Sequence, residues 1–153
     1  MRRKVLDLGW LIKKDHDEYR RFFVEMAKTS PQDAQAREAA LREVMRKIYA
    51  HHIAEEVSIF PKMMQVPELR GLAFELEVEH SDMKTLFEAL KAERANTEVW
   101  KYRLVTIYDV MHAHWLKEEE QLTPFWQGYF SVEEWENFSK QFEQATEHYL
   151  KNH

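Results

Sequence analysis

Three of the eight histidines in this chain are followed by a glutamate four residues on: His51/Glu55, His52/Glu56 and His114/Glu118. Residues four apart on an α-helix share a face, with Cβ atoms about 5–6 Å apart, so the imidazole and carboxylate of such a pair reach one ion. Two further histidines, His16 and His80, stand singly inside apolar stripes of other segments. Together His16, His51, Glu55, His80, His114 and Glu118 supply four imidazoles and two carboxylates, enough for a dimetal centre. Two imidazoles would serve each metal, the carboxylates would bridge, and a water, hydroxide or oxo group would complete the core. Imidazole with carboxylate and no thiolate suits iron or manganese, with zinc a frequent substitute. Positions left open by the protein are where dioxygen or nitric oxide would bind.

Each feature alone is ordinary, since surface pairs at i,i+4 are common and a lone buried histidine is usually satisfied by a carbonyl. Their placement on four successive helices carries the expectation. Burying several ionisable groups in an apolar core costs several kcal/mol unless each is paired or coordinated.

The elements that would position these residues follow from apolar periodicity. A first helix from about Leu6 to Lys28 has Leu8, Leu11, Ile12, Tyr19, Phe23 and Met26 on one stripe, with His16 among them. Ser30-Pro31-Gln32-Asp33 reads as a helix start, cap followed by proline in the first turn. The second helix is expected from about Pro31 to Met64, its stripe Leu41, Val44, Ile48 continuing into His51 and Glu55, with Pro61 kinking or ending it. A third runs from Pro67 to about Arg94 with His80 between Leu76 and Met83. A fourth runs from about Thr97 to Gln127 with Ile107, Met111, His114 and Glu118 on one face. Ser131 and Glu134 form a capping box for a fifth, over about 131–150, striped with Trp135, Phe138, Phe142 and Tyr149. That stripe reads first as core and second as a dimer face, leaving the chain a monomer or a homodimer. Short connections between long helices imply antiparallel neighbours. The expected fold is all-α: an up-down-up-down four-helix bundle over about 5–127 with an additional C-terminal amphipathic helix, in a single domain spanning 1–153.

Composition agrees. Only 3 glycines and 4 prolines among 153 residues argue against a turn-rich β architecture. The absence of cysteine excludes thiolate metal sites, disulfides and thiol catalysis. A net charge of −5 without a basic stripe argues against a nucleic-acid partner. No apolar run approaches the ~20 residues that cross a bilayer, and the basic start Arg2-Arg3-Lys4 lacks a following apolar region, so a cytoplasmic, membrane-free location is expected.

A gapless internal repeat relates His51-x3-Glu55-Glu56-x4-Pro61 to His114-x3-Glu118-Glu119-x4-Pro124. This alignment favours His51/Glu55 over His52/Glu56 as the ligand pair, placing His52 and Glu56 behind the ligands or on the surface. With Asp15-His16-Asp17-Glu18 and Glu79-His80-Ser81-Asp82, the pattern from about Val5 to Trp126 resembles the hemerythrin-like, or HHE cation-binding, family. The resemblance implies a four-helix bundle around a non-haem di-iron centre, two iron ions joined by an oxo or hydroxo bridge. The third helix has Lys84 one turn beyond His80, where oxygen carriers have a second histidine, and the last ligand is Glu118 rather than an aspartate five residues on. The four-His, two-Glu set is closer to the di-iron proteins of iron–sulfur cluster repair. Lys84 reads as a surface lysine, or else as a donor to a bound oxygen species.

The expected function is a sensor, store or stress-response protein that binds dioxygen, nitric oxide or iron. The alternatives are a di-iron enzyme scavenging peroxide or nitric oxide or donating iron for cluster repair, and a metal-free helical interaction module.

Overall fold

Periodicity 3.6 dominates the chain, and a computed structural model, which describes residues 7–121 and 127–153, is helical throughout with no strand among those residues. In chain order the helices are α1 (Leu8–Ala27), α2 (Ala34–Val57), the single turn α3 (Phe60–Met63), α4 (Pro67–Ala92), α5 (Glu98–Gln121) and α6 (Val132–Asn152). Helices α1, α2, α4 and α5 pack as a closed square, α1 on α2 and α5, and α4 on α2 and α5. The sixth lies along α2 and reaches α1. This is the expected four-helix bundle with a C-terminal helix laid against it. None of the described helices is long and apolar enough to cross a membrane.

Local chemistry sets the helix ends. Asp7 caps α1 by accepting from the Gly9 N–H at 3.2 Å, and its Oδ1 also accepts from Trp135 Nε1 at 2.9 Å, tying α6 to the start of the bundle. Ser30, Pro31 and Asp33 form one 3₁₀ turn before α2, with the Ser30 N–H donating to Asp33 Oδ2 at 2.8 Å. Ser131 and Glu134 close the anticipated capping box of α6. The second helix does not run unbroken to Met64. It ends at Val57, and Pro61 falls in the first turn of α3. Proline has no N–H for the carbonyl one turn back and its ring clashes there. Ser58, in non-helical backbone, makes the corner instead, donating from Oγ to the Ala54 carbonyl. Pro124, the other anchor of the repeat, lies outside the described residues, as do Val5, Leu6 and Trp126.

The apolar residues divide into two cores. One gathers Tyr19, Phe23, Ile48, Met83, Phe87, Trp100, Met111 and Trp115; the other gathers Leu8, Ile12, Ala54, Phe60, Leu76, Trp135, Phe138 and Phe142. Of the α6 stripe, Trp135, Phe138 and Phe142 are buried in the core and Tyr149 is half-buried. Between the two cores lies a polar layer. His16 stands between Ile12 and Tyr19, His51 between Ile48 and Ala54, and His80 between Leu76 and Met83.

At the far end of the bundle Arg37 is fully buried, one turn before Leu41 on the same face of α2. Its guanidinium donates to the Thr29 and Ala95 carbonyls at 2.9 and 2.8 Å and to the Thr97 carbonyl at 3.1 Å, and lies 4.8 Å over the Trp100 ring. It thereby staples the α1–α2 turn to the α4–α5 turn. Arg37→Met should strand these carbonyls and lower stability by about 2–4 kcal/mol in urea unfolding. A loss below about 1 kcal/mol would show that water takes over the guanidinium's role.

Candidate metal centre

Seven side chains meet in the polar layer. His16 comes from α1, His51, His52 and Glu55 from α2, His80 from α4, and His114 and Glu118 from α5; none is more than 5% exposed. The ε nitrogens turn inward. His16 Nε2 is 3.2 Å from His51 Nε2 and 3.5 Å from Glu118 Oε1. Glu55 Oε1 is 3.3 Å from both His51 Nε2 and His80 Nε2, and His114 Nε2 is 2.9 Å from Glu118 Oε1. The His52 and His80 rings stack at 3.7 Å with His114 close by. Three triads bring one potential ligand atom per residue within 4.8 Å of one another: His16/His51/Glu118, His52/His80/His114 and Glu55/His114/Glu118.

The outward nitrogens of four of these rings face carboxylates. His51 Nδ1 lies 2.9 Å from Asp15, His114 Nδ1 2.8 Å from Glu79, His16 Nδ1 3.4 Å from Glu119 and His80 Nδ1 3.6 Å from Glu56. Each acid is the chain neighbour of an inner residue, in the doublets Asp15-His16, Glu55-Glu56, Glu79-His80 and Glu118-Glu119. The contacts circulate around the bundle: the acid of α1 holds the histidine of α2, α2 that of α4, α4 that of α5, and α5 that of α1. Two acids are themselves clamped, Glu119 by Arg20 at 2.5 Å and Glu79 by Lys117 at 2.6 Å.

Burial opposes ionisation of Glu119, but its bonds to His16 and Arg20 prevail and bring its pKa down to about 2. A carboxylate on the outer nitrogen fixes a ligating imidazole's tautomer and raises its basicity. Burial likewise holds His51, His52 and His80 below the usual imidazole range, hence neutral, the form that coordinates. Burial, reinforced by the facing Glu118, pushes the Glu55 carboxyl well up. Burial resists the Glu118 charge too, yet His114 beside it keeps that carboxyl well below its ordinary value. His114 is raised to about 9, the Glu118 and Glu79 carboxylates outweighing burial.

These residues fit a metal. Both oxygens of Glu55 and of Glu118, and Nε2 of His52, His80 and His114, are buried without a well-formed hydrogen bond, although they lie 2.9–3.3 Å from one another at His114/Glu118 and His80/Glu55. Buried polar atoms are nearly always satisfied, so a convergent set of orphans calls for an occupant. All six residues anticipated from the sequence are brought together. His52 joins them rather than standing behind or outside. Adjacent residues on α2 flank the midline of its buried face, so His51 turns to His16 of α1 and His52 to His80 of α4. Glu56 is the outer partner of His80. Lys84 is exposed, His112 stacks on Tyr108 away from the layer, and His148 and His153 are exposed on α6.

The family model described as hemerythrin HHE cation binding domain matches residues 8–126. The chain belongs to this family. Among curated proteins, one named DNA nickase from Nostoc sp. (strain PCC 7120 / SAG 25.82 / UTEX 2576) is 27% identical over 135 residues, covering 88% of this chain and 38% of that protein. This HHE chain therefore spans well under half the length of that relative. No solved structure matches it.

His114, raised to about 9, holds a proton at neutral pH, and Glu55 is pushed toward its protonated form. Coordination needs both deprotonated, so metal uptake near pH 7 should release protons and the affinity should climb as pH rises. Calorimetric titration with iron(II) in buffers of different ionisation enthalpy measures this directly; uptake without proton release would contradict the assignment.

Proposed function

We propose that this hemerythrin-family chain holds two iron ions in the polar layer and uses them to bind a small molecule, dioxygen or nitric oxide, as a sensor or store. One observation carries the reading: inward imidazole nitrogens and two whole carboxylates converge in a buried layer, most of these atoms without a well-formed hydrogen bond, while carboxylates hold the outward nitrogens. By position, His16 and His51 would hold one ion, His52, His80 and His114 the other, with Glu55 and Glu118 between them. The set lacks thiolate, which favours iron, manganese or zinc over softer ions. When bound, a pair of irons supplies reversible one-electron chemistry and a place for a diatomic ligand.

The unequal donor count supports binding at the His16/His51 side, which has one imidazole fewer. This chain's residues shape what would be admitted there. The Trp115 ring stacks on His16 at 5.5 Å, Tyr19 meets His51 edge-on at 5.7 Å, and Phe142 of α6 meets His51 at 5.2 Å. Tyr19's hydroxyl is committed to the Lys47 carbonyl at 3.1 Å. The wall is therefore aromatic, suited to a small neutral ligand, and it keeps bulk water from the buried carboxylates.

Apo protein incubated anaerobically with iron(II) and desalted should retain about two irons per chain and gain thermal stability, since an ion bound only by the folded state shifts unfolding. His52→Ala should lower the retained iron as much as His51→Ala does. Retention of no iron would leave the helical-module reading standing. Air and nitric oxide should each perturb the optical spectrum stoichiometrically; sustained turnover of peroxide or nitric oxide would favour the scavenging enzyme instead.

A further inference from the structure

A hydrated divalent cation has no easy way into this layer. Along the bundle axis it is sealed by the two apolar cores, and on the α1/α5 side by Trp115, Tyr19 and Phe142. Carrying a charge through such surroundings without compensating groups is prohibitive. One surface feature reaches the layer. A cleft of about 300 Å³ between α2 and α4, flanked by Tyr149 of α6, has His52 and His80 among its lining residues. Four other sizeable clefts include none of the seven inner residues.

The charges lining the cleft are Glu56, Glu77 and Lys84. Glu77 and Lys84 have no ion-pair partner among the described residues, unlike the clamped Glu79 and Glu119, so both act on whatever enters. The two histidines there are also the least tethered of the five. His80 Nδ1 is 3.6 Å from Glu56, beyond hydrogen-bonding distance and the longest of the four outer contacts, and it is buried without a partner. The His52 ring stacks on His80 at 3.7 Å and meets the His51 and His114 rings at 6.2 and 6.0 Å, with no carboxylate on it among the described residues. Resting on the two-ion reading above, we infer that this cleft is the port through which metal ions are loaded, with Glu77 and Glu56 drawing the cation in, His80 and His52 receiving it, and Lys84 as the opposing charge that tempers capture.

The port gives the two free charges effects of opposite sign. Full-length apo protein is mixed anaerobically with iron(II) in a stopped-flow instrument, uptake is followed by quenching of tryptophan fluorescence, and final iron is counted by elemental analysis. Glu77→Gln should slow uptake roughly three- to tenfold at low ionic strength and Lys84→Gln should quicken it by a similar factor, both effects shrinking with added salt. Final iron content should equal wild type in both, and Glu133→Gln, remote on α6, should leave the rate unchanged. Rates that do not respond, or that shift in the same direction for both variants, overturn the port. Iron content that falls in Glu77→Gln makes Glu77 part of a binding site and overturns it as well. A wild-type protein that takes up no iron instead overturns the two-ion reading itself.

Discussion

Two carboxylates, Glu55 and Glu118, face each other in the middle of an apolar bundle, and the architecture around them follows from that juxtaposition. Like charges at this separation in a desolvated place do not both ionise, and the protein answers by crowding imidazoles onto them. Glu118 remains charged beside His114 and Glu55 is pushed toward its neutral form. This is a costly interior for a helical domain, since four carboxylate oxygens and four imidazole nitrogens are left without a well-formed hydrogen bond. A pair of divalent ions would reverse the balance, turning repelling groups into shared ligands.

The outer acids extend this constraint into the fold. Because three of the four hold the imidazole of the next helix around the square, and Glu56 faces its own at 3.6 Å, ring orientation and helix packing are determined together. Arg20 and Lys117 fix two of these acids, and those two stand behind His16 and His114, which come from the neighbouring helices α1 and α5. Phe142 brings α6 onto His51, so the C-terminal helix is part of the enclosure rather than an appendage. The α2–α4 side differs: its acid Glu56 is loosely placed and the surface is indented. A layer rigid on one flank and softer on the other suits a centre that must be filled and then closed.

Much of this was legible in the sequence because helical phase is a strong signal. The stripes running from Leu41 to Glu55 and from Ile107 to Glu118 carried their histidines inward with them, and Ser131 with Glu134 marked the start of α6. Three things were not legible, each for a physical reason. His52 looked like a competitor of His51 because a one-sided amphipathic helix buries only one of two neighbours. α2 is instead enclosed by α1, α4 and α6, and buries both. Asp15, Glu79 and Glu119 stood in the motifs around the ligands without a role of their own, since their task depends on which helix lies alongside. Arg37 is in phase with Leu41, Val44 and Ile48, but a charged residue there reads as the end of the apolar stripe, and its partners are carbonyls of distant turns, which no local pattern records.

The central claim is that the seven inner residues hold two metal ions, and anomalous diffraction from crystals of iron-loaded protein tests it most directly. Data collected on either side of the iron edge should show two peaks per chain. One should lie within ligand distance of His16 and His51, the other within ligand distance of His52, His80 and His114, and Glu55 and Glu118 should border both. A single peak, peaks outside the layer, or a second ion that bypasses His52 would contradict the account.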